Sequence, residues 1–492
     1  MSIDALSTAL SGLRVTQQAL DVTALNVANA QTDGYTRKIL PQESVVVGNR
    51  GIGVRAGEVQ RYVDQALLRD YRTQIGVETG LSVRESYLSR IQSFHGSSDQ
   101  QTNLASRLNA LANSFTTLSA TPESATAQQY VVDQAVNLAV NINKYADFLL
   151  KMRVEAQESI AGEVANANSY LNTIAEYNKR IGQLKSVGSS TASLEDQRDI
   201  AVKKLSELMD ISYFEDGDGI LVVQTRNGQV LADHEAHPLQ FNNSSMTYAS
   251  YYPDSLSGVT VNPGTEGAID LNGSSGGKLG ALLNLRDNEL PSYMAQLDEL
   301  AHKIAMRFDA QGLRLFTDAS GGVPANTPNQ YLGFAQNIQV NDYIRHDASL
   351  IQKGTQGIAI DVASNAVIER IINFTFGAYQ DASGTPHAQF NVTNNGPGGL
   401  SNFPSLIGPN ASLDLFTRSM LGRQAEEHAL VFSQLKTEKA YTQDIQTRLL
   451  DGSSVSTDEE MANMIELQRN YAASAKVINA LDELFKALLG AF

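Results

Sequence analysis

Three short strings carry residue types capable of chemistry. GSSGGKLG, residues 273 to 280, has the glycines and lysine of a phosphate-cradling loop. That loop needs four residues between its first Gly and the Gly-Lys pair, and then Ser or Thr. Here three intervene and Leu279 follows Lys278, so the string reads as a turn leading into a helix. HEAHP, residues 234 to 238, has its histidines three apart and Pro238 at once after them, in a region of strand and turn pattern. A zinc helix needs a different spacing, and a solvated loop is the reading. EDGDG, residues 215 to 219, lacks the twelve-residue spacing and terminal Glu of a calcium loop. It reads as a hairpin turn.

His95, His302, His346, His387 and His428 have no acid or nucleophile partner in local sequence. His428 follows Glu426 and Glu427 and reads as part of a solvated charged face. The chain has no Cys and no Trp, which excludes disulfides, thiolate metal sites and cysteine nucleophiles. Catalytic residues, cofactor and metal are all expected to be absent, with a triad assembled from distant positions left open. The net charge of -16 and the pI near 4.9 argue against phosphate-backbone binding, so no nucleic acid partner is expected.

The elements that carry these residues are mostly helical. Ile3, Leu6, Leu10, Leu13, Gln17, Leu20, Ala24 and Val27 follow alternating steps of three and four, the rhythm of a heptad seam. Met464, Leu467, Tyr471, Ser474, Ile478, Leu481, Phe485 and Leu488 repeat it at the other end, where Thr457 and Glu460 have the spacing of a capping box. Ordinary bundle packing is one explanation; placement at both extreme termini favours paired coiled-coil helices. Charge supports contact surfaces there: residues 1 to 62 carry a net +1 and residues 453 to 492 a net -3, leaving -14 in the middle.

Val63 to Phe94, Thr102 to Leu118 and Pro122 to Lys185 are helix-patterned, and the last is long enough for an elongated rod. From Ile211 short alternating runs appear, with Asp218-Gly219 and Asn227-Gly228 as hairpin dipeptides. Helical pattern returns over Leu279 to Leu315 and Leu413 to Leu450, with one helix near Val362 to Phe374 in the Gly-, Asn- and Pro-rich stretch between. No apolar run approaches the roughly 18 to 20 residues of a membrane span, and Met1 to Leu20 lacks a basic start followed by an apolar block, so neither anchor nor Sec-type address is expected.

The first helical pattern ends in LNVANAQTDGYTRK, residues 25 to 38. Gly34 can take positive φ and stop the helix, while Asn26 and Asn29 can bond carbonyls left unpaired in the last turn, or a neighbour's backbone.

This stretch, with Asn26, Asn29, Thr32, Gly34 and Tyr35, resembles the signature of flagellar rod, hook and hook-associated proteins. GIGVRAGEVQRYVDQALLRDYR, residues 51 to 72, resembles the segment that follows in that family, with Arg61 and Asp64 in place and Ala66 where Phe is frequent. Segments 193 to 216, 276 to 311 and 453 to 489 are similar to its hook-associated branch, whereas 217 to 272 and about 318 to 410 are not covered. The resemblance implies a structural component of the bacterial flagellum at the hook-filament junction, secreted unfolded through the export channel. It implies copies of itself, the flagellar hook protein, hook-associated protein 3 and an export chaperone as partners. Another axial protein, a hook or rod protein, is the alternative, and a secreted enzyme on flagellar-type ends a more distant one.

The expected fold is mainly α: paired terminal coiled-coil helices, an elongated helical rod and a small inserted β domain. The expected divisions are 1–62 with 453–492 for the terminal pair, 63–210 with 278–317 and 411–452 for the rod, 211–277 for the β insert, and 318–410 for an irregular outer segment. The expected assembly interface comprises Leu6, Leu10, Leu13, Leu20, Asn26, Val27, Asn29, Thr32, Gly34 and Tyr35 with Met464, Leu467, Tyr471, Ile478, Leu481, Phe485 and Leu488. By resemblance, Leu467, Ile478, Leu481, Phe485 and Leu488 are the residues an export chaperone would mask.

Overall fold

The computed structural model describes residues 2–47, 50–96, 103–261, 269–271, 275–327, 329–355, 365–390 and 411–490. The side chains of residues 2–5, 47, 50, 269, 488 and 489 lie outside that description, among them Ile3 and Leu488 of the heptad stripes.

α1 (Ser2–Ala28) opens the chain. Beyond its turn, β1 (Lys38–Ile39) pairs with β4 (Gln60–Arg61), and β2 (Gln42–Val47) with β3 (Arg50–Ala56) forms an antiparallel hairpin between them. The hairpin leans on α1: Val54 N donates to Ser11 Oγ at 3.1 Å and Thr8 Oγ1 to Ile52 O at 3.1 Å. A Cβ on Gly53 would lie 2.5 Å from Ser11 Oγ, so only glycine permits the approach.

The rod follows. α2 (Gln65–His95) starts at Asp64, whose carboxylate accepts from Ala66 N and Leu67 N. α3 (Leu104–Ala120) and α4 (Ala125–Ser186) are likewise capped, by Asn103 and Ser124. The 62 residues of α4 span about 93 Å at 1.5 Å per residue. Of its sequence-expected stripe, Val132, Leu138, Ile142, Leu149, Met152, Ile160, Val164, Leu171, Ile174 and Ile181 are buried and only Val136 is half-buried. α5 (Ala192–Leu208) packs back on α4 and α2.

Two three-stranded antiparallel sheets come next: β5 (Ile211–Glu215), β6 (Leu221–Thr225) and β7 (Val230–Ala232), then β8 (Leu239–Phe241), β9 (Val259–Val261) and β10 (Ile269–Asp270). Gly219 and Gly228 sit at φ +81° and +84°, as the two hairpin dipeptides demand. Asp216 Oδ1 accepts from Asp218 N and Ile220 N, so the acidic string builds its own turn.

α6 (Gly277–Asn284) runs through a π-helical turn, Leu285–Glu289, into α7 (Leu290–Ala310). The glycine string ahead of α6 allows close packing. A Cβ on Gly277 would lie 2.7 Å from the Leu208 carbonyl, and one on Gly80 of α2 2.9 Å from Gly277 O.

α7 is buried on nearly every side, charged residues included. Asp298 accepts from Gly333 N and Ala335 N, both at 2.8 Å; Glu299 accepts from Tyr331 OH at 2.6 Å and pairs with Lys303 at 3.5 Å. His302 stacks on Tyr331 with centroids 4.1 Å apart, and Arg307 donates to Ala411 O at 2.9 Å. These polar contacts gather the segment that has no regular pattern in sequence. In it β11 (Phe316–Thr317) pairs with β12 (Gln339–Val340) among four short helices: α8 (Phe334–Asn337), α9 (Asp342–His346), α10 (Leu350–Lys353) and α11 (Ala366–Arg370). α11 continues as a π-helical turn to Thr375. The expected helix near Val362 to Phe374 is thus seen from Ala366; residues 362 to 364 lie outside the described residues.

α12 (Leu413–Ser453) returns along α2, and α13 (Thr457–Leu489) lies against α1. The fold is mainly α, with paired terminal helices at one end of a helical rod and a small β insert.

Candidate assembly interface

The two terminal helices use their stripes differently. In α13 the heptad stripe is the half-buried face: Met464, Leu467, Ser474, Ile478, Leu481 and Phe485 are partly covered, and Tyr471 is 38% exposed. Leu488 continues the helix, its side chain outside the described residues. In α1 the buried side chains are Val15, Thr16, Ala19, Thr23 and Asn26, a face rotated away from the leucine stripe. Leu6, Leu13, Leu20 and Val27 are half-buried and Leu10 is exposed. Small side chains let the backbones approach, as where Gly12 meets Ser474, and leave the leucines on the outer side.

The pair therefore presents apolar surface. Leu10 and Leu25 on α1, and Met461, Ile465, Val477 and Leu484 on α13, are each more than 40% exposed. Among the described side chains of α13 only Glu460 is buried.

The signature after α1 closes on itself. Asn29 Nδ2 donates to the Leu25 carbonyl at 2.9 Å, and Thr32 Oγ1 donates to Asn29 Oδ1 at 3.3 Å. Gly34, at φ +76°, lies where a Cβ would come within 2.6 Å of Ile200 on α5. Asn26 is 1% exposed and fully used: Nδ2 donates to Lys38 O at 2.9 Å and to Glu460 at 3.2 Å, while Oδ1 accepts from Lys38 N at 3.0 Å and Tyr35 OH at 2.9 Å. Both asparagine amides thus bond backbone of their own chain. Burial, with Asp196 and Glu460 nearby, pushes the Tyr35 hydroxyl well above its ordinary value, so it stays a donor.

Sequence reading treated Glu460 as the far half of a capping box. The helix instead begins with Ser456 Oγ accepting from Glu459 N at 3.4 Å, while the Glu460 carboxylate accepts from Arg37 Nε at 2.7 Å and from the Asn26 amide. One buried and one part-buried bond hold the carboxylate more firmly than an exposed cap position. Next along the chain, Asp196 on α5 accepts from Thr36 N and Oγ1 and pairs with Lys38, both side chains at most 3% exposed. Lys38 also lies over the Tyr35 ring at 3.5 Å. Arg61 faces Asp196 at 3.4 Å and pairs with Asp199 at 2.6 Å, and Asp199 pairs with Arg72 of α2 at 2.8 Å. Burial alone would raise the Asp199 carboxyl, but Arg72 and Arg61 hold it below the usual carboxylate range.

Of these residues, sequence reading singled out Arg61 and gave it no role; Arg37, Lys38, Arg72, Asp196 and Asp199 had none either. For Arg37, Lys38 and Arg61 the available signal was charge inside a segment otherwise read as contact surface; Arg72, Asp196 and Asp199 lie in segments read as rod and carried none.

Among the described residues no group of three or more His, Asp or Glu has metal-binding geometry, and no helix is long and apolar enough to cross a membrane. His95 bonds Gln424 at 2.9 Å inside the rod and His428 lies 3.4 Å from Glu85. An open groove of about 800 Å³ between α1 and the β2–β3 hairpin is lined by Leu10, Val15, Leu40, Val54 and Val59 with Arg14 and Arg55.

Family models match three stretches: a flagellar hook-associated protein helical domain over residues 88–321, a flagellar basal body rod protein over 6–36, and the C-terminal region of flagellar basal body rod proteins over 446–491. Flagellar hook-associated protein 1 of Bacillus subtilis is 27% identical, the alignment covering 98% of this chain and 97% of that one. The Salmonella typhimurium and Escherichia coli proteins of that name are 25% and 24% identical over 98% of this chain. A solved flagellar hook junction protein from Burkholderia pseudomallei aligns over 52% of this chain and 45% of its own, with a TM-score of 0.43 and 23% identity. Paired terminal helices matched by rod-protein models, around a middle matched by the hook-associated helical domain, define an axial structural protein of the bacterial flagellum. Over nearly its whole length the chain is similar to the flagellar hook-associated protein 1 family, and the structural role at the hook-filament junction fits it. That family is a structural one, not a family of enzymes, and its members assemble with other flagellar axial proteins.

Proposed function

We propose that this chain polymerises through α1 and α13 into a ring of copies, with the flagellar hook protein on one side and hook-associated protein 3 on the other. In this reading residues 1–62 with 453–492 form the inner tube, 63–210 with 278–317 and 411–452 the rod, and 211–277 with 318–410 the outer parts. The chain leaves the cell through the export channel and performs no catalysis. One observation carries the reading: both terminal helices expose apolar residues on faces that the monomer leaves uncovered.

A fully buried Leu-sized side chain contributes about 1.5–3 kcal/mol, but no described apolar side chain of α13 is fully buried here. The terminal helices are therefore marginal in the free chain over most of their length and gain order when neighbouring subunits cover them. Before export, a chaperone covers the heptad face, which the folded chain only half-buries, through Leu467, Ile478, Leu481, Phe485 and Leu488. Truncation after Asp451 removes that site, so undiminished chaperone binding by the fragment refutes this part.

The deciding experiment complements a deletion strain with the wild-type chain or with one carrying Val477→Asp and Leu484→Asp. The wild-type chain retains filaments; the variant makes hooks and sheds filament protein into the medium. Filaments retained by the variant would overturn the reading.

A further inference from the structure

Buried and half-buried charged groups around the end of α1 form one continuous path. It runs from Glu460 on α13, through Arg37 and Lys38 after α1, to Asp196 on α5, then Arg61, Asp199 and finally Arg72 on α2. Four separate parts of the chain meet in it, and its partners lie up to 423 positions apart.

Burial along the terminal helices is graded with respect to this path. On α1 every buried side chain among residues 6 to 28 falls between Val15 and Asn26, in the half nearer the path. On α13 the single buried side chain among those described is Glu460, which belongs to the path itself. Away from it, the pair has only half-covered apolar contacts, which order helices weakly.

We propose that Glu460, Asp196 and Asp199 are positioning residues: their ion-paired carboxylates hold the terminal helix pair to the rod and set its direction, and the pair is ordered from this joint outward. The charges are satisfied only when all four segments are in place, because a buried carboxylate without its partner is strongly disfavoured. The joint thus rejects alternative orientations that merely bury apolar surface. Its purpose rests on the assembly reading above; its existence does not.

Hydrogen-exchange mass spectrometry on the free full-length chain tests it. In the wild type, peptides covering 23–38 and 456–464 exchange more slowly than those covering 6–13 and 478–487, by about tenfold or more. Glu460→Gln and Asp199→Asn each speed exchange at the joint about tenfold, as expected for loss of a charge-assisted bond. Peptides within 131–174 stay unchanged, which shows an intact rod. Asp199→Glu, which keeps the charge, retains most of the protection. The proposal is overturned by wild-type joint peptides that exchange as fast as the distal ends, by neutral variants within twofold of wild type, or by Asp199→Glu behaving like Asp199→Asn. If Asp199→Asn also loosens the rod, Glu460→Gln, at the other end of the path, decides. Filaments retained by the Val477→Asp, Leu484→Asp chain would sink the assembly reading while leaving this exchange gradient in place.

Discussion

Nδ2 of Asn26 donates a hydrogen bond at 3.2 Å to the carboxylate of Glu460, joining the last turn of the first long helix to the first turn of the last one. Both side chains are buried, in a neighbourhood where most of the two helices is not. The two asparagines of the N-terminal signature accordingly have unequal energetic weight. Asn26 satisfies four bonds across three segments, whereas Asn29 ties down one carbonyl of its own helix.

Asn26→Ala leaves Lys38 N–H and Tyr35 OH without their acceptor in a dry site and is expected to cost about 2–4 kcal/mol of local stability. Asn29→Ala costs about 0.5–1 kcal/mol, as for loss of a helix-end bond. Urea denaturation followed by Tyr fluorescence ranks the two; equal costs would contradict the assignment.

Gly34 combines positive φ with the Ile200 side chain 2.6 Å from where a Cβ would stand. Gly34→Ala is expected to destabilise the turn by about 1–3 kcal/mol. Combining it with Ile200→Ala recovers the steric part and not the backbone part. A double-mutant cycle on melting temperature separates the two.

Surface and core leucine-type positions divide sharply. Val477→Asp and Leu484→Asp change monomer stability by less than about 0.5 kcal/mol, because each side chain is at least half exposed. Leu149→Ala in α4, at 0% exposure, costs about 2–5 kcal/mol. Denaturation midpoints check both, independently of any assembly assay.

Acid acts on the joint. The folded Asp199 carboxyl titrates below its unfolded counterpart, so its stabilisation is fully present above the unfolded value of about 4 and is lost as pH falls through the folded one. Melting temperatures between pH 5 and 3 fall for the wild type, and Asp199→Asn, already weakened, shows a shallower acid limb.

Mild alkali acts elsewhere in the rod. Burial, with Glu427 nearby, pushes Glu289 up to about 7 despite its ion pair with Arg84 at 2.6 Å. Because the folded value is raised, its contribution is present below the unfolded value of about 4.5 and is lost as pH rises through 7. Asp298, buried in α7 and also raised to about 7, acts in the same direction. Stability measured at pH 5 and pH 8 therefore drops across the interval, and Glu289→Gln removes part of that drop. A variant with an unchanged slope would place the titration elsewhere.

Several features were legible from residue spacing alone. The α4 stripe from Val132 to Ile181 is the buried face of one long helix, Asp218-Gly219 and Asn227-Gly228 are hairpin turns, and the C-terminal heptad from Met464 to Phe485 is, Tyr471 apart, the half-buried face of its helix. Each is a local property: a 3.5- or 3.6-residue period or a positive-φ turn is written within a few neighbouring positions. The N-terminal leucine stripe was legible as a pattern, and its orientation was not. Its helix has a second usable face of small residues, Val15, Thr16, Ala19 and Thr23, and only the docked partner decides which is covered. The buried path from Glu460 to Arg72 was likewise decided only in three dimensions. Opposite charges far apart in sequence carry no mark of their pairing until the fold excludes water from between them and makes the match worth having.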